Sequence, residues 1–246
     1  MRKMLVSDYD GTLYINEEDF NKNIAAVNQF RKNGNLFVIA TGRSYQDFIN
    51  VTRNYHIEYD YVALNAGTCI INSDHEYLIT KIIDHSTVTS IYNELIDHPS
   101  LLYITCSQNK VLLFSNFEKN VDINNPEICK IILHLLPDEI TEAAAIVDDL
   151  KTKYNIKAYL LTHDDYIEVE VIPSDCDKSI QVEYLSKLEN IDRSNIFTIG
   201  DSANDIGMVK QFNGACMTSS LPDLLALNKP MFDSVSDFIK TIEKKL

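Results

Sequence analysis

An α/β protein, with a doubly wound, Rossmann-like parallel sheet interrupted by an inserted α+β segment, is the fold class this sequence predicts. Three observations carry that expectation. Short apolar runs alternate with amphipathic stretches in the first third, the same alternation returns in the last third, and closely spaced strand-like runs lie between them.

In the first third, the run Met4 to Asp8 is followed by a helical pattern from Asn21 to Asn33. The run Leu36 to Thr41, a helix from Tyr45 to Tyr55 and the run Tyr61 to Asn65 complete it. Strand, helix, strand, helix, strand implies a parallel sheet covered on both faces. The last third reads as a helix from Ser179 to Leu188, a strand from Ile196 to Ile199, a helix opening near Asp205, and the run Gly214 to Met217. Between them, Leu101 to Cys106, Val111 to Phe114, Ile128 to Leu135, Ala158 to Leu161 and Tyr166 to Val171 are strand-like with short separators. Helical patterns from Thr87 to Asp97 and from Asp138 to Tyr154 would cover one face of that antiparallel sheet. The expected organisation is therefore a core of residues 1–83 and 176–246 with an insertion at 84–175.

A chain of 246 residues can bury a sizeable core, and 45% hydrophobic with 24% charged residues is ordinary globular usage. A formal net charge of -14 disfavours nucleic acid as a bulk ligand. The five cysteines are odd in number and form no C-x-x-C pair, which reads as reduced thiols of a cytoplasmic protein. No signal-peptide core and no uncharged bilayer-length run is present, so no membrane partner is expected.

Chemistry concentrates where strands end. Asp8-Tyr9-Asp10-Gly11-Thr12 follows the first apolar run, placing two carboxylates and a glycine turn at the sheet edge where doubly wound folds bind ligands. A carboxylate is a competent nucleophile toward phosphoryl groups, and a second one nearby can deliver and recover a proton. The plain alternative is an Asp-Gly turn with a helix cap. An EF-hand loop does not fit, because Gly11 is fourth and Asp19 twelfth from Asp8. Thr41-Gly42-Arg43 supplies a hydroxyl, an approachable amide and a guanidinium ahead of a helix, the parts of an oxyanion cradle. Gly200-Asp201-Ser202-Ala203-Asn204-Asp205 adds hard carboxylate oxygens that suit magnesium, or alternatively helix caps. Lys178 precedes a helix on the return from the insertion, and could screen an aspartate from an incoming phosphate. The six histidines form no paired ligand spacing and read as residues of the surface or the insertion. Neither a G-x-S-x-G elbow nor a Walker or dinucleotide loop occurs.

The order of these motifs, together with Asn65-Ala66-Gly67 after the third run, resembles the haloacid dehalogenase superfamily, and within it the Cof-type, subfamily IIB phosphatases. The resemblance spans essentially the whole chain and implies that residues 84–175 form a substrate-specificity cap. It implies Asp8 as nucleophile and Asp10 as general acid and base. Thr41, Gly42, Lys178 and Asn204 would surround the phosphate, with Arg43 and Asn65 at the pocket mouth. Magnesium would be held by Asp8, the Asp10 carbonyl and Asp201, with Asp205 a further ligand or a supporting residue. The implied activity is hydrolysis of a small phosphorylated metabolite, with a sugar phosphate as the expected substrate, through an aspartyl phosphate. A phosphomutase and a non-catalytic sensor of phosphorylated metabolites are the alternatives.

Overall fold

The computed structural model describes residues 1–108, 112–115 and 127–244. The chain begins with β1 (Met4–Ser7), α1 (Glu17–Lys32), β2 (Leu36–Ala40), α2 (Tyr45–Thr52) and β3 (Tyr61–Leu64). A hairpin of β4 (Cys69–Asn72) and β5 (Tyr77–Thr80) follows. The next elements are α3 (His85–Leu95), β6 (Leu101–Gln108), β7 (Leu112–Ser115), β8 (Ile128–Leu135), α4 (Ile140–Lys153), β9 (Ile156–Thr162) and β10 (Ile167–Pro173). The chain then adds α5 (Lys178–Leu188), β11 (Ile196–Gly200), α6 (Ile206–Gln211), β12 (Asn213–Met217), α7 (Pro222–Leu225), β13 (Met231–Phe232) and α8 (Val235–Lys244).

Eight strands form one sheet in the order β13-β12-β11-β1-β2-β3-β4-β5, parallel from β13 through β3. Alternation sets its two faces. Leu5, Phe37 and Ile39 pack toward one core with Phe20, Val27 and Ile239, while Met4, Val6, Val38 and Ala40 pack toward another with Val182, Leu185 and Met208. Burial on both faces explains why these strands read as continuous apolar runs, each large aliphatic or Phe side chain contributing about 1.5–3 kcal/mol. Helix α1 starts on an Asn16 side chain accepting from the Asp19 amide, with acidic residues in its first turn and Arg31 and Lys32 in its last.

The all-parallel expectation misses the β4–β5 hairpin, which extends the sheet antiparallel to β3. Asn65, Ala66 and Gly67 have φ of 51°, 56° and 97°, a left-handed run that reverses the chain immediately after β3.

The second sheet has five strands in the order β7-β6-β8-β10-β9, all antiparallel, as the spacing of the middle third leads one to expect. Val111, the first residue of the expected second strand, lies outside the described residues. One face of this sheet carries Ile104, Cys106, Ile131, Leu133, Val169 and Val171 into a core with α3 and α4. Its other face is turned to the cleft described next. No helix among the described residues is long and apolar enough to cross a membrane.

Candidate active site

Asp8 lies just beyond β1, its amide donating to the Ile199 carbonyl of β11 at 3.0 Å. Gly11 then turns the chain at φ +76°, and any Cβ there would lie 2.6 Å from Asp201 Oδ2. Only glycine lets the first loop approach the β11 loop so closely. Thr12 Oγ1 donates to Asp201 Oδ1 at 2.7 Å, tying the two loops together.

Lys178, the first residue of α5, is fully buried and donates to Asp8 Oδ1 and to Asp205 Oδ1, each at 2.6 Å. The other Asp205 oxygen accepts from the Asp201 and Ser202 amides at 3.1 and 3.0 Å. Both oxygens of Asp205 are thus engaged by the protein, whereas Asp8 keeps Oδ2 clear of Lys178. Carboxylate oxygens of Asp8, Asp201 and Asp205 lie within 4.8 Å of one another. Such an all-oxygen set fits a hard divalent cation.

The electrostatics point the same way. Burial pushes the Asp8 carboxyl up, Lys178 pulls against it, and Asp205, Asp201 and Asp10 add to the rise. Burial and then Asp205 bring the Asp201 carboxyl up to about 6. Burial works against the Lys178 ammonium, but Asp205 and Asp8 more than offset it, so the lysine keeps its proton. One ammonium therefore faces three clustered carboxylates, a surplus of negative charge that a divalent cation would relieve.

The other expected residues fall around this centre with one correction, at Asn65. Thr41 is buried at the end of β2, its hydroxyl accepting from the Arg43 amide at 3.1 Å. Gly42 and Asn204 line the same cleft as Asp8 and Asp10. Arg43 also lines it, but its guanidinium grips Asp10 through two bonds of 2.8 and 2.7 Å, so its charge is committed to the first loop. Asn65 does not face the pocket mouth. It is fully buried by the left-handed turn, and its amide nitrogen points to Cys129 Sγ at 3.4 Å.

The cleft has a volume of about 530 Å³, with the carboxyl ends of β1, β2 and β11 on one side and the second sheet on the other. Its far wall was not foreseen. Buried Lys130 of β8 donates to the Gly42 carbonyl and to Glu170 Oε1 of β10, the latter at 2.8 Å. Glu170 Oε2 in turn accepts from Asn204 Nδ2 at 3.0 Å. A Cβ on Gly42 would lie 2.9 Å from Glu170 Oε1, so a larger residue there would have to displace that carboxylate. His134, Glu168, Tyr103, Tyr166 and His163 complete the wall, which places two of the histidines on the site itself. A signal was present in Ile167-Glu168-Val169-Glu170-Val171, whose strict alternation sets both glutamates on one face of a strand.

A family model described as haloacid dehalogenase-like hydrolase matches residues 5–238. The 5-amino-6-(5-phospho-D-ribitylamino)uracil phosphatase YbjI of Escherichia coli is 21% identical over 230 residues, which is 85% of this chain and 82% of the relative. A HAD/COF-like hydrolase from Plasmodium vivax superposes with a TM-score of 0.80 at 19% identity, over 99% of this chain and 96% of that one. A haloacid dehalogenase-like hydrolase from Bacillus subtilis superposes with a TM-score of 0.81 at 15% identity, over 99% of this chain and all of the other.

Proposed function

The chain belongs to the haloacid dehalogenase-like hydrolase family, and on that premise we propose that it is a magnesium-dependent phosphatase for a small phosphorylated metabolite such as a sugar phosphate, working through a phosphorylated Asp8. The observation that carries the reading is the buried Asp8 carboxylate, anchored through one oxygen by Lys178 and lining the cleft beside Asp201. The name of the Escherichia coli relative supports a small phosphorylated metabolite as the substrate class.

In this reading Asp8 attacks phosphorus, and the bond from phosphorus to the ester oxygen breaks as Asp10 gives that oxygen its proton. Asp10 then removes a proton from the water that attacks the aspartyl phosphate, releasing inorganic phosphate and restoring Asp8. Arg43 donates to both Asp10 oxygens in this structure, a contact that favours the carboxylate and would have to release one oxygen before Asp10 carries the proton it gives to the ester oxygen. Thr41, Gly42, Asn204 and Lys178 are assigned to the phosphate oxygens. Magnesium, held by Asp8, the Asp10 carbonyl and Asp201, would supply charge neutralisation and orientation of the ester. Asp205 is assigned a supporting role, since its oxygens already serve Lys178 and two amides.

Phosphate release from p-nitrophenyl phosphate and a panel of sugar phosphates, with magnesium or with EDTA, tests the proposal. The expected result is metal-dependent release without any added acceptor, which also separates a hydrolase from a mutase. Asp8→Asn should abolish release while leaving the circular dichroism unchanged. Metal-independent release, or full activity in that variant, contradicts the reading.

A further inference from the structure

Building on the phosphatase reading and its sugar-phosphate substrate, we propose that Glu168, on the second-sheet wall of the cleft, sets selectivity among leaving groups, accepting from a neutral polyhydroxyl moiety and turning away leaving groups that carry a second anion. Strand register sets Tyr103, His134 and Glu168 side by side across β6, β8 and β10. Thr105, Ile132 and Glu170 form the next row, and Ser107 and Lys130 the row after that. Lys130 and Glu170 touch Gly42 and Asn204, so they mark the end nearest the phosphate. The Tyr103 row therefore lies about 7 Å beyond the Glu170 row, one two-residue step along the strands and a suitable offset for the body of a small ester.

What the outer site offers is flat apolar surface, hydrogen-bond acceptors and unspent polar groups. Tyr103 stacks on His134 at 4.1 Å, and Tyr166 stacks on His163 at 4.5 Å. Partly exposed tyrosine rings of this kind pack against the C–H faces of a polyol. His134 Nε2 is 3.2 Å from the Thr105 hydroxyl, while its buried Nδ1 lies 3.6 Å from Glu168 Oε1, beyond hydrogen-bond distance. The Ser107 hydroxyl is likewise buried and unpartnered but lies two rows further in, beside Lys130, and both residues line the cleft. Such groups call for a ligand that both donates and accepts, as a hydroxyl does.

Charge sets the selectivity. Arg43 and Lys130 are the arginine and lysine of the lining among the described residues, and each is already bound to a carboxylate, Asp10 and Glu170 respectively. Burial pushes His134 down to about 4, so it is neutral at working pH. Burial of Glu168 opposes its ionisation, but a hydrogen bond from His163 and the charge of Lys130 outweigh it and hold its carboxyl below the usual range. A hydroxyl can donate to Glu168. A carboxylate or second phosphate would meet it with no unpaired lysine or arginine in the lining among the described residues to compensate, and with His163 already engaged by Glu168 at 3.5 Å.

D-glucitol 6-phosphate and 6-phosphogluconate test this directly, because they share one carbon chain and differ in a terminal hydroxymethyl against a carboxylate. Wild-type enzyme with magnesium should show a kcat/KM about tenfold or more higher for the glucitol ester. Glu168→Gln should bring the two toward parity by raising the use of 6-phosphogluconate. Equal or preferred use of 6-phosphogluconate by wild type overturns the proposal, and so does an unchanged ratio in a folded Glu168→Gln enzyme. Should that variant not fold, the wild-type ratio decides alone. Hydrolysis of p-nitrophenyl phosphate with neither sugar-derived ester turned over also overturns the leaving-group site. Absence of hydrolysis on every monoester would instead overturn the phosphatase reading beneath it.

Discussion

A single buried ammonium organises the centre. Lys178 holds Asp8 on one side and Asp205 on the other, and Asp205 uses its second oxygen to fix the backbone of the β11 loop. Removing one member of such a chain strands the others without partners, so their effects are not separable. His134 belongs to the same scale and yields a prediction about stability. Its folded pKa of about 4 lies below the ordinary value of 6.5 because burial penalises the imidazolium. Between those two values the unfolded chain binds the proton and the native chain does not, so stability should fall as pH drops from 6.5 toward 4. Above 6.5 both states are neutral and the residue has no pH effect. Chemical denaturation of wild type and His134→Gln across that range checks this, with a shallower pH slope expected in the variant. Identical slopes would mean that His134 is not held neutral.

The second sheet divides its labour by face, with alternate residues facing the helices and the cleft. Lys130 and Glu170 lie on the cleft face and carry that sheet to two loops of the first one, through Gly42 and Asn204. Lys130→Met should cost about 3–5 kcal/mol, because Glu170 would be left buried and charged with its cation gone. Pairing it with Glu170→Leu should recover much of that loss, and urea denaturation of both variants reads the difference. Nearly equal stability of Lys130→Met and wild type would show that the pair is not buried as described. These residues also mark what the sequence conceals. The motif loops were legible because each is a local string at the end of an apolar run, where Asp8, Thr41 and Asp201 stand. The cleft wall was not, because it is assembled by register between strands far apart in sequence. In β8 burial on both faces makes Ile128-Cys129-Lys130-Ile131-Ile132-Leu133-His134-Leu135 read as simple core. Asn65 misled for a related reason, since its motif marks a turn that points the side chain inward rather than toward the ligand.

At the scale of the whole molecule, we propose that residues 84–175 act as a cap inserted into a catalytic core of 1–83 and 176–246. The core then supplies phosphoryl chemistry and the cap reads the leaving group. The chain leaves the core near Lys81 and returns near Asp175, and those two residues form an exposed ion pair of 2.6 Å between the two crossing segments. Replacing 84–175 with a short linker should alter selectivity among sugar esters more than it weakens attack on p-nitrophenyl phosphate. Parallel kcat/KM values on both ester types check this, and a folded, metal-binding core inactive on every ester would move essential chemistry into the insertion. The claim on which the account rests is that Asp8 takes the phosphoryl group. Rapid acid quench of the enzyme turning over p-nitrophenyl phosphate with magnesium, followed by mass spectrometry of its peptides, examines it most directly. One added phosphoryl group is expected on the peptide that contains Asp8, absent from Asp8→Asn, and steady turnover with that peptide unmodified at every quench time would contradict phosphoryl transfer to Asp8.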